Sequence, residues 1–250
     1  MEQKTKIVLD YLEKLIPSPK CELIFNNNYE LICAVMLSAQ TTDKRVNEIS
    51  KILFSKYPDF YSLSLANYDD VYDIIKPLGL AKHKTSNLIM LAKQICQNYN
   101  GVVPNSFEEL CKLSGIGRKT ANVVMALGFN IPAFPVDTHV NRVAKRLGFA
   151  KEDDDILTVE EKLKRKIPKN KWIDSHHRFL LFGRYTCKSL NPICQNCGLK
   201  SICKYKNSKW LCLVLRHFLL SIYWQFFYKQ CDMIWLVIIW KLNALILNMS

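Results

Sequence analysis

Leu113-Ser114-Gly115-Ile116-Gly117-Arg118-Lys119-Thr120 is the stretch on which the fold of this chain turns. Two glycines one residue apart permit a tight turn and let backbone approach a ligand without Cβ obstruction. Behind them Ala121, Val123, Val124, Ala126 and Leu127 form an apolar helical pattern. The N–H groups at such a helix start point outward and suit a phosphate. Alone, Gly-x-Gly also fits a plain turn between two helices. Outward from this hairpin, helical spacing recurs. Val8, Leu12, Leu15 and Ile16 make one stripe, Val46, Ile49, Ile52 and Leu53 a second, and Leu88, Leu91 and Ile95 a third. Leu31 to Ala39 is a nearly continuous apolar run, too rich in Leu, Met and Ala for a strand, and predicts a buried helix. Pro58, Pro77-Leu78-Gly79, Gly101, Pro104, Pro132 and Pro135 punctuate these segments. Asn105-Ser106-Phe107-Glu108-Glu109 has the form of a capped helix start. No alternating strand and no internal repeat is evident, so the chain reads as all-α.

The 250 residues suffice for one large or two small domains, and almost half of them are hydrophobic, as a folded protein requires. The formal net charge is +13, of which +10 belongs to the first 206 residues. A surplus of that size favours a polyanionic partner, nucleic acid before others. Charge alone fits a solvated basic surface nearly as well. Met1 to Lys14 is charged and amphipathic and lacks the apolar core of a secretory signal. Ten cysteines without such a signal point to the reducing cytoplasm, where clustered thiols are ligands more often than disulfides. Cys21, Cys33, Cys96 and Cys111 stand among apolar residues and are expected to be small buried hydrophobes.

Lys119 falls in the first turn of the helix behind the hairpin. A phosphate contact is the simpler role for it. The helix dipole and partial burial would instead favour the free amine, the form that attacks a sugar carbon and becomes an imine. Asp137 follows the stiff apolar approach Ile131-Pro132-Ala133-Phe134-Pro135-Val136 and opens a helix carrying Val140, Val143 and Leu147. It reads as an N-cap, and capping amides would hold the carboxylate fixed and ionised. A fixed anion stabilises a developing sugar cation or moves protons. They stand 18 positions apart, which leaves room for one helix and one loop, so the two can face each other across a cleft. Cys187, Cys194, Cys197 and Cys203 follow in the spacing C-x6-C-x2-C-x5-C, which has few uses besides a metal centre. Zinc is the structural alternative, but only one Cys-x-x-Cys pair is present and no histidine lies within the cluster. Thiolate-only ligation also suits an iron–sulfur cluster.

Gly115-Ile116-Gly117-Arg118-Lys119-Thr120-Ala121-Asn122 before an apolar helix resembles the helix-hairpin-helix motif of DNA repair glycosylases. Hairpin, Lys119, Val136-Asp137-Thr138-His139 and the cysteine spacing follow in an order and at intervals similar to bacterial endonuclease III, over residues 1 to 206. The resemblance implies a DNA glycosylase and abasic-site lyase acting mainly on oxidised pyrimidines in double-stranded DNA, with the damaged nucleotide rotated out of the duplex. By the same resemblance Lys119 is the nucleophile at C1′, Asp137 assists base loss and proton transfer, and the four cysteines hold a 4Fe-4S cluster. Gln40, in Leu37-Ser38-Ala39-Gln40-Thr41-Thr42-Asp43, looks like the residue that fills the hole left by the flipped base, and Leu80 like a wedge opposite it. Without the resemblance, Gln40 reads as a polar residue at a helix end and Leu80 as a core leucine. Gly115, Gly117, Arg118 and Thr120 would meet the DNA backbone, with Ser38 and Asp43 touching the damaged base. The loop Lys188-Ser189-Leu190-Asn191-Pro192-Ile193 holds a single basic residue where the family leads one to expect more, leaving Arg184, Lys200 and Lys204 as substitutes.

The family further implies a monomer of two helical domains with the DNA groove between them: residues 22–132 carrying the hairpin, and residues 1–21 with 133–206 carrying the cluster. The cytoplasm, at the nucleoid, is its expected location. An adenine-mismatch glycosylase shares the fold but lacks the lysine and places a glutamate in the early buried helix, and Leu31 to Gln40 contains no acid. A non-catalytic hairpin module would not need Lys119 and Asp137 opposed. Residues 207–250 fall outside the resemblance. They are crowded with aromatic and aliphatic side chains, but their longest uncharged run, Phe218 to Tyr228, is eleven residues where a membrane span needs about 20. They read as a non-homologous, poorly ordered extension, with membrane attachment as the alternative.

Overall fold

The computed structural model describes residues 2–205. The hydrophobic extension expected from 207 onward lies outside the described residues. Eleven α-helices are present among them, and no strand. They are α1 (Gln3–Leu15), α2 (Asn28–Leu37), α3 (Asp43–Lys56), α4 (Phe60–Ser64), α5 (Tyr68–Ile75), α6 (Ala81–Tyr99), α7 (Phe107–Cys111), α8 (Arg118–Phe129), α9 (Thr138–Arg146), α10 (Ile156–Lys166) and α11 (Trp172–Leu181). A π-helical turn, Phe182–Thr186, continues α11. Among the described residues no helix is long and apolar enough to cross a membrane.

Two apolar clusters form within residues 2–203. The first gathers side chains from Leu23 to Ala133, α2 to α8. At its centre is α2, whose residues Leu31 to Leu37 are all buried because the helix is apolar on every side. Asn27 starts α2 by accepting from the Glu30 amide at 2.9 Å. The second cluster joins Val8, Leu9 and Leu12 of α1 to α9, α10 and α11, around the fully buried Phe134, Phe179 and Phe182. Phe134 and Phe149 meet Phe179 edge to face at 6.3 and 5.5 Å. The chain passes between the clusters twice, between Ile16 and Cys21 and between Ala133 and Phe134.

Three expectations about burial need correction. The buried stripe of α3 is Val46, Ile49, Ser50 and Leu53, at i, i+3, i+4 and i+7, which turns Ile52 outward, 55% exposed. In α1 the stripe is Thr5, Val8, Leu9 and Leu12, and Leu15 lies exposed at the helix end. Of the four scattered cysteines Cys33 is buried, Cys21 and Cys96 are half-buried, and Cys111 is exposed at the end of the single-turn α7.

Candidate active site and nucleic-acid interface

The hairpin is built from both directions. Leu113 and Ile116 are buried, and Ser114 straps the turn to α6, its amide donating to Gln94 Oε1 at 2.7 Å and its hydroxyl lying 3.1 Å from Asn87 Oδ1. Gly115 has φ +74, and a Cβ there would lie 2.6 Å from Met36 Sδ and 2.9 Å from Asn87 Cβ. Conformation and space both demand glycine. Gly117 differs: a Cβ there would meet nothing within 4 Å. It is the N-cap of α8 and supplies no side chain to cap the first-turn amides, so these are open to an outside acceptor.

Lys119 and Asp137 line one cavity of about 150 Å³. Ser38, Asp43 and Thr120 line it too, with Cys21, Glu22, His176, His177 and Arg184. Lys119 is solvent-exposed. The expected partial burial is absent, because the first turn of α8 projects beyond the core that α8 covers with Ala121, Val124 and Met125. Asp137 is the N-cap of α9, and its Oδ1 accepts from the Val140 amide at 2.7 Å. Ser38 donates its hydroxyl to the Val35 carbonyl at 2.7 Å.

Two of the expected DNA contacts are engaged by protein partners. The Arg118 guanidinium grips Glu160 of α10 at both carboxylate oxygens, 3.0 and 3.2 Å, and stacks over the Phe107 ring at 5.2 Å. Glu160 is 2% exposed and also receives Lys164 Nζ. Asp43 accepts from Arg184 at 2.6 Å, and the same Arg184 nitrogen bonds Glu22, which also accepts from the Tyr185 hydroxyl. Burial opposes the Arg184 charge, but Asp43 and Glu22 outweigh it and its pKa rises. Gln40 and Leu80 stand on neighbouring loops. Both are exposed, and both hold left-handed backbone, φ 54 and 61, a costly conformation for residues other than glycine. A Cβ on Gly79 would lie 3.3 Å from the Gln40 carbonyl oxygen, and Lys84 Nζ donates to Thr41 at 2.9 Å, so the two loops are neighbours.

Cys187, Cys197 and Cys203 pack against the second apolar cluster, and Cys187, Cys194 and Cys203 all lie within electrostatic range of Cys197. Among the described residues no three His, Cys, Asp or Glu side chains are arranged to hold a single ion. Arg146, 7% exposed, donates to Cys187 Sγ at 3.3 Å and to the Lys188 carbonyl at 2.7 Å. Burial pushes the Cys187 thiol up, and the Arg146 guanidinium beside the sulfur pulls it part of the way back towards thiolate. Four neighbouring sulfurs with a guanidinium among them and no histidine suit a thiolate-ligated group.

Residues 33–169 match the family model described as the HhH-GPD superfamily base excision DNA repair protein. Endonuclease III of Bacillus subtilis is 44% identical over 205 residues, covering 81% of this chain and 92% of that protein. That of Rickettsia felis is 44% identical over 202 residues, 80% and 94% of the two chains. The chain belongs to the endonuclease III family. Among solved structures, a trapped endonuclease III–DNA covalent intermediate superposes with a TM-score of 0.80 at 43% identity, covering 84% of this chain and 99% of that one. A non-covalent endonuclease III–DNA complex matches equally.

For this member of the endonuclease III family, sequence reasoning passed over His176 and His177. Both are buried in α11. His176 Nδ1 lies 2.7 Å from the Pro135 carbonyl oxygen, two residues before Asp137. Burial and the neighbouring His177 push the His176 pKa down to about 3, and burial lowers that of His177 as well. A neutral ring bonded to a carbonyl carries its proton on that nitrogen. The paired histidines in Ser175-His176-His177-Arg178 were the available signal, but nothing in that run announces burial.

Proposed function

We propose that this cavity performs both steps of the endonuclease III reaction, with Lys119 as nucleophile and Asp137 as the fixed anion. The activity is that of a bifunctional DNA glycosylase and abasic-site lyase in base excision repair, acting on damaged DNA. The observation that carries the assignment is the shared lining of one small cavity by Lys119 and Asp137, residues that are 18 positions apart. An oxidised pyrimidine rotated out of the duplex enters it. Lys119 Nζ, as the free amine, bonds to C1′ while the C1′–N1 bond breaks and the base leaves with the electron pair. Asp137, anchored by the Val140 amide, stabilises positive charge on the sugar and takes the proton that the attacking nitrogen sheds. Opening of the sugar ring gives the imine. Loss of a proton at C2′ then expels the 3′ phosphate by β-elimination, and water releases the amine.

Gln40 and Leu80, exposed on adjoining left-handed turns, suit insertion into the duplex beside the extruded nucleotide. Gly115 and Gly117 bring the first amides of α8 to a phosphate, with Thr120 alongside. Arg118 and Asp43 support the site through Glu160 and Arg184 instead of meeting DNA directly. Cys187, Cys194, Cys197 and Cys203 would hold a 4Fe-4S cluster, whose part when bound is to fix the loop 187–203. The two apolar clusters suit the two-lobe division at 22–132.

Borohydride tests the nucleophile. It should trap the protein covalently on DNA bearing an abasic site, and Lys119→Ala should abolish the adduct; trapping that survives the substitution overturns the assignment. Protein purified without oxygen should be brown with about four irons per chain, whereas a colourless preparation with stoichiometric zinc would remove the cluster from the proposal.

A further inference from the structure

The cavity holds two imidazoles for which the reaction above has no use. His176 is 4% exposed and His177 7%. His176 Nδ1 faces the Pro135 carbonyl at 2.7 Å and His177 Nδ1 the Ile173 carbonyl at 3.0 Å. A carbonyl can only accept, so each bond takes the single proton of a neutral ring and leaves Nε2 as a bare acceptor. No described residue bonds either Nε2. Three other polar groups on the lining already have protein partners: Ser38 donates to the Val35 carbonyl, and Glu22 and Asp43 hold Arg184. A volume of about 150 Å³ is what a benzene-sized ring occupies, so one six-membered ring fits.

The geometry points to His176 Nε2 as the acceptor that reads the N3–H of the extruded base, so that the site favours oxidised pyrimidines with an imide or urea N–H over those with a lone pair at N3. The inference rests on the proposed reaction and adds its base selectivity. A base with a bare N3 would set two lone pairs against each other in a site that water has left, and an unmade buried hydrogen bond is costly. His176 serves here as a specificity contact, since it has no proton to give at that nitrogen.

The test compares single-turnover release of 5-hydroxyuracil and 5-hydroxycytosine from otherwise identical duplexes. These bases share the oxidation at C5 and differ at N3 and C4. In His176→Asn the amide N–H replaces Nδ1–H toward Pro135 and Nε2 is lost; in His176→Gln a carbonyl oxygen stands near the Nε2 position. His176→Asn should lower the 5-hydroxyuracil to 5-hydroxycytosine rate ratio about tenfold, and His176→Gln should restore most of it. Because both rates come from one preparation, the ratio does not depend on the fraction folded. An unchanged ratio, or equal loss on both bases, overturns the inference. Wild-type protein that gives no borohydride adduct on abasic DNA would fail the proposed reaction itself, whereas wild-type that traps while the ratio stays fixed fails only the reading of N3.

Discussion

Gly115 and Gly117 are two positions apart and are required for different reasons. Gly115→Ala forces a left-handed alanine and drives its Cβ to 2.6 Å from Met36 Sδ, beside Asn87 Cβ. It should cost about 2–4 kcal/mol, read as a lowered thermal midpoint. Gly117→Ala meets open space and should cost at most about 1 kcal/mol, the difference between glycine and alanine at an N-cap, while binding to abasic duplex weakens several-fold because the new methyl stands where phosphate approaches. Asp137→Asn makes the complementary separation. Asparagine caps as well as aspartate, so stability should hold within about 0.5 kcal/mol. Base release in single turnover should still fall by about a hundredfold or more, since the anion is gone. A loss of stability with normal release would leave Asp137 a cap and nothing else. The positions of Lys119 and Asp137 at helix starts were legible because each stands beside turn residues that mark such a start in any sequence. His176 was not, because its partner Pro135 is 41 positions away and only the tertiary fold brings them together.

At the level of elements, Glu160 ties the hairpin helix α8 to α10. It is 2% exposed and receives Arg118, Lys164 and the Asn122 amide. Glu160→Ala removes the acceptor that all three share. Arg118 is half exposed and can turn to solvent, so the cost should be about 2 kcal/mol, below that of a fully buried pair. For a chain of this size that lowers the melting temperature by roughly 4–8 °C. The same change frees a guanidinium at the edge of the hairpin. Non-specific binding to duplex DNA should therefore strengthen at low salt, and the slope of log K against log salt should steepen by about 1. A variant that melts lower with an unaltered slope would show that Arg118 does not face the DNA path when released. Sequence alone could not supply this link. Arg118 beside a glycine hairpin has the look of a phosphate contact, and Glu160, in Val159-Glu160-Glu161-Lys162, is indistinguishable there from its exposed neighbour Glu161. Two helix starts fared better, since Ser106 and Asp137 cap the helices that follow them, as their sequence context implies.

For the whole molecule, the two neutral imidazoles make folding stability depend on pH in a direction fixed by their burial. The unfolded chain protonates His176 at its ordinary pKa of 6.5, while the folded chain does so only at about 3. Between those values the unfolded state binds more protons, so stability is fully present above pH 6.5 and is lost as pH falls. From pH 7 to pH 5 His176 should cost about 2 kcal/mol, a drop of roughly 4–8 °C in melting temperature. His177, lowered by the same burial, adds in the same direction. Carboxylates with lowered pKa, such as Asp59 and Asp155, lose their contribution only in a more acidic window, below the ordinary carboxylate values. Melting of wild-type and His176→Asn protein at half-unit steps from pH 7.5 to 5 separates the two groups, because the variant should lose the His176 share of the slope and keep the rest. A profile flat over this range would mean that the folded protein takes up the His176 proton as readily as the unfolded chain does. Nε2 would then gain a proton as pH falls through 6.5, and below that pH the cavity would select for bases with an acceptor at N3, reversing the preference inferred for it.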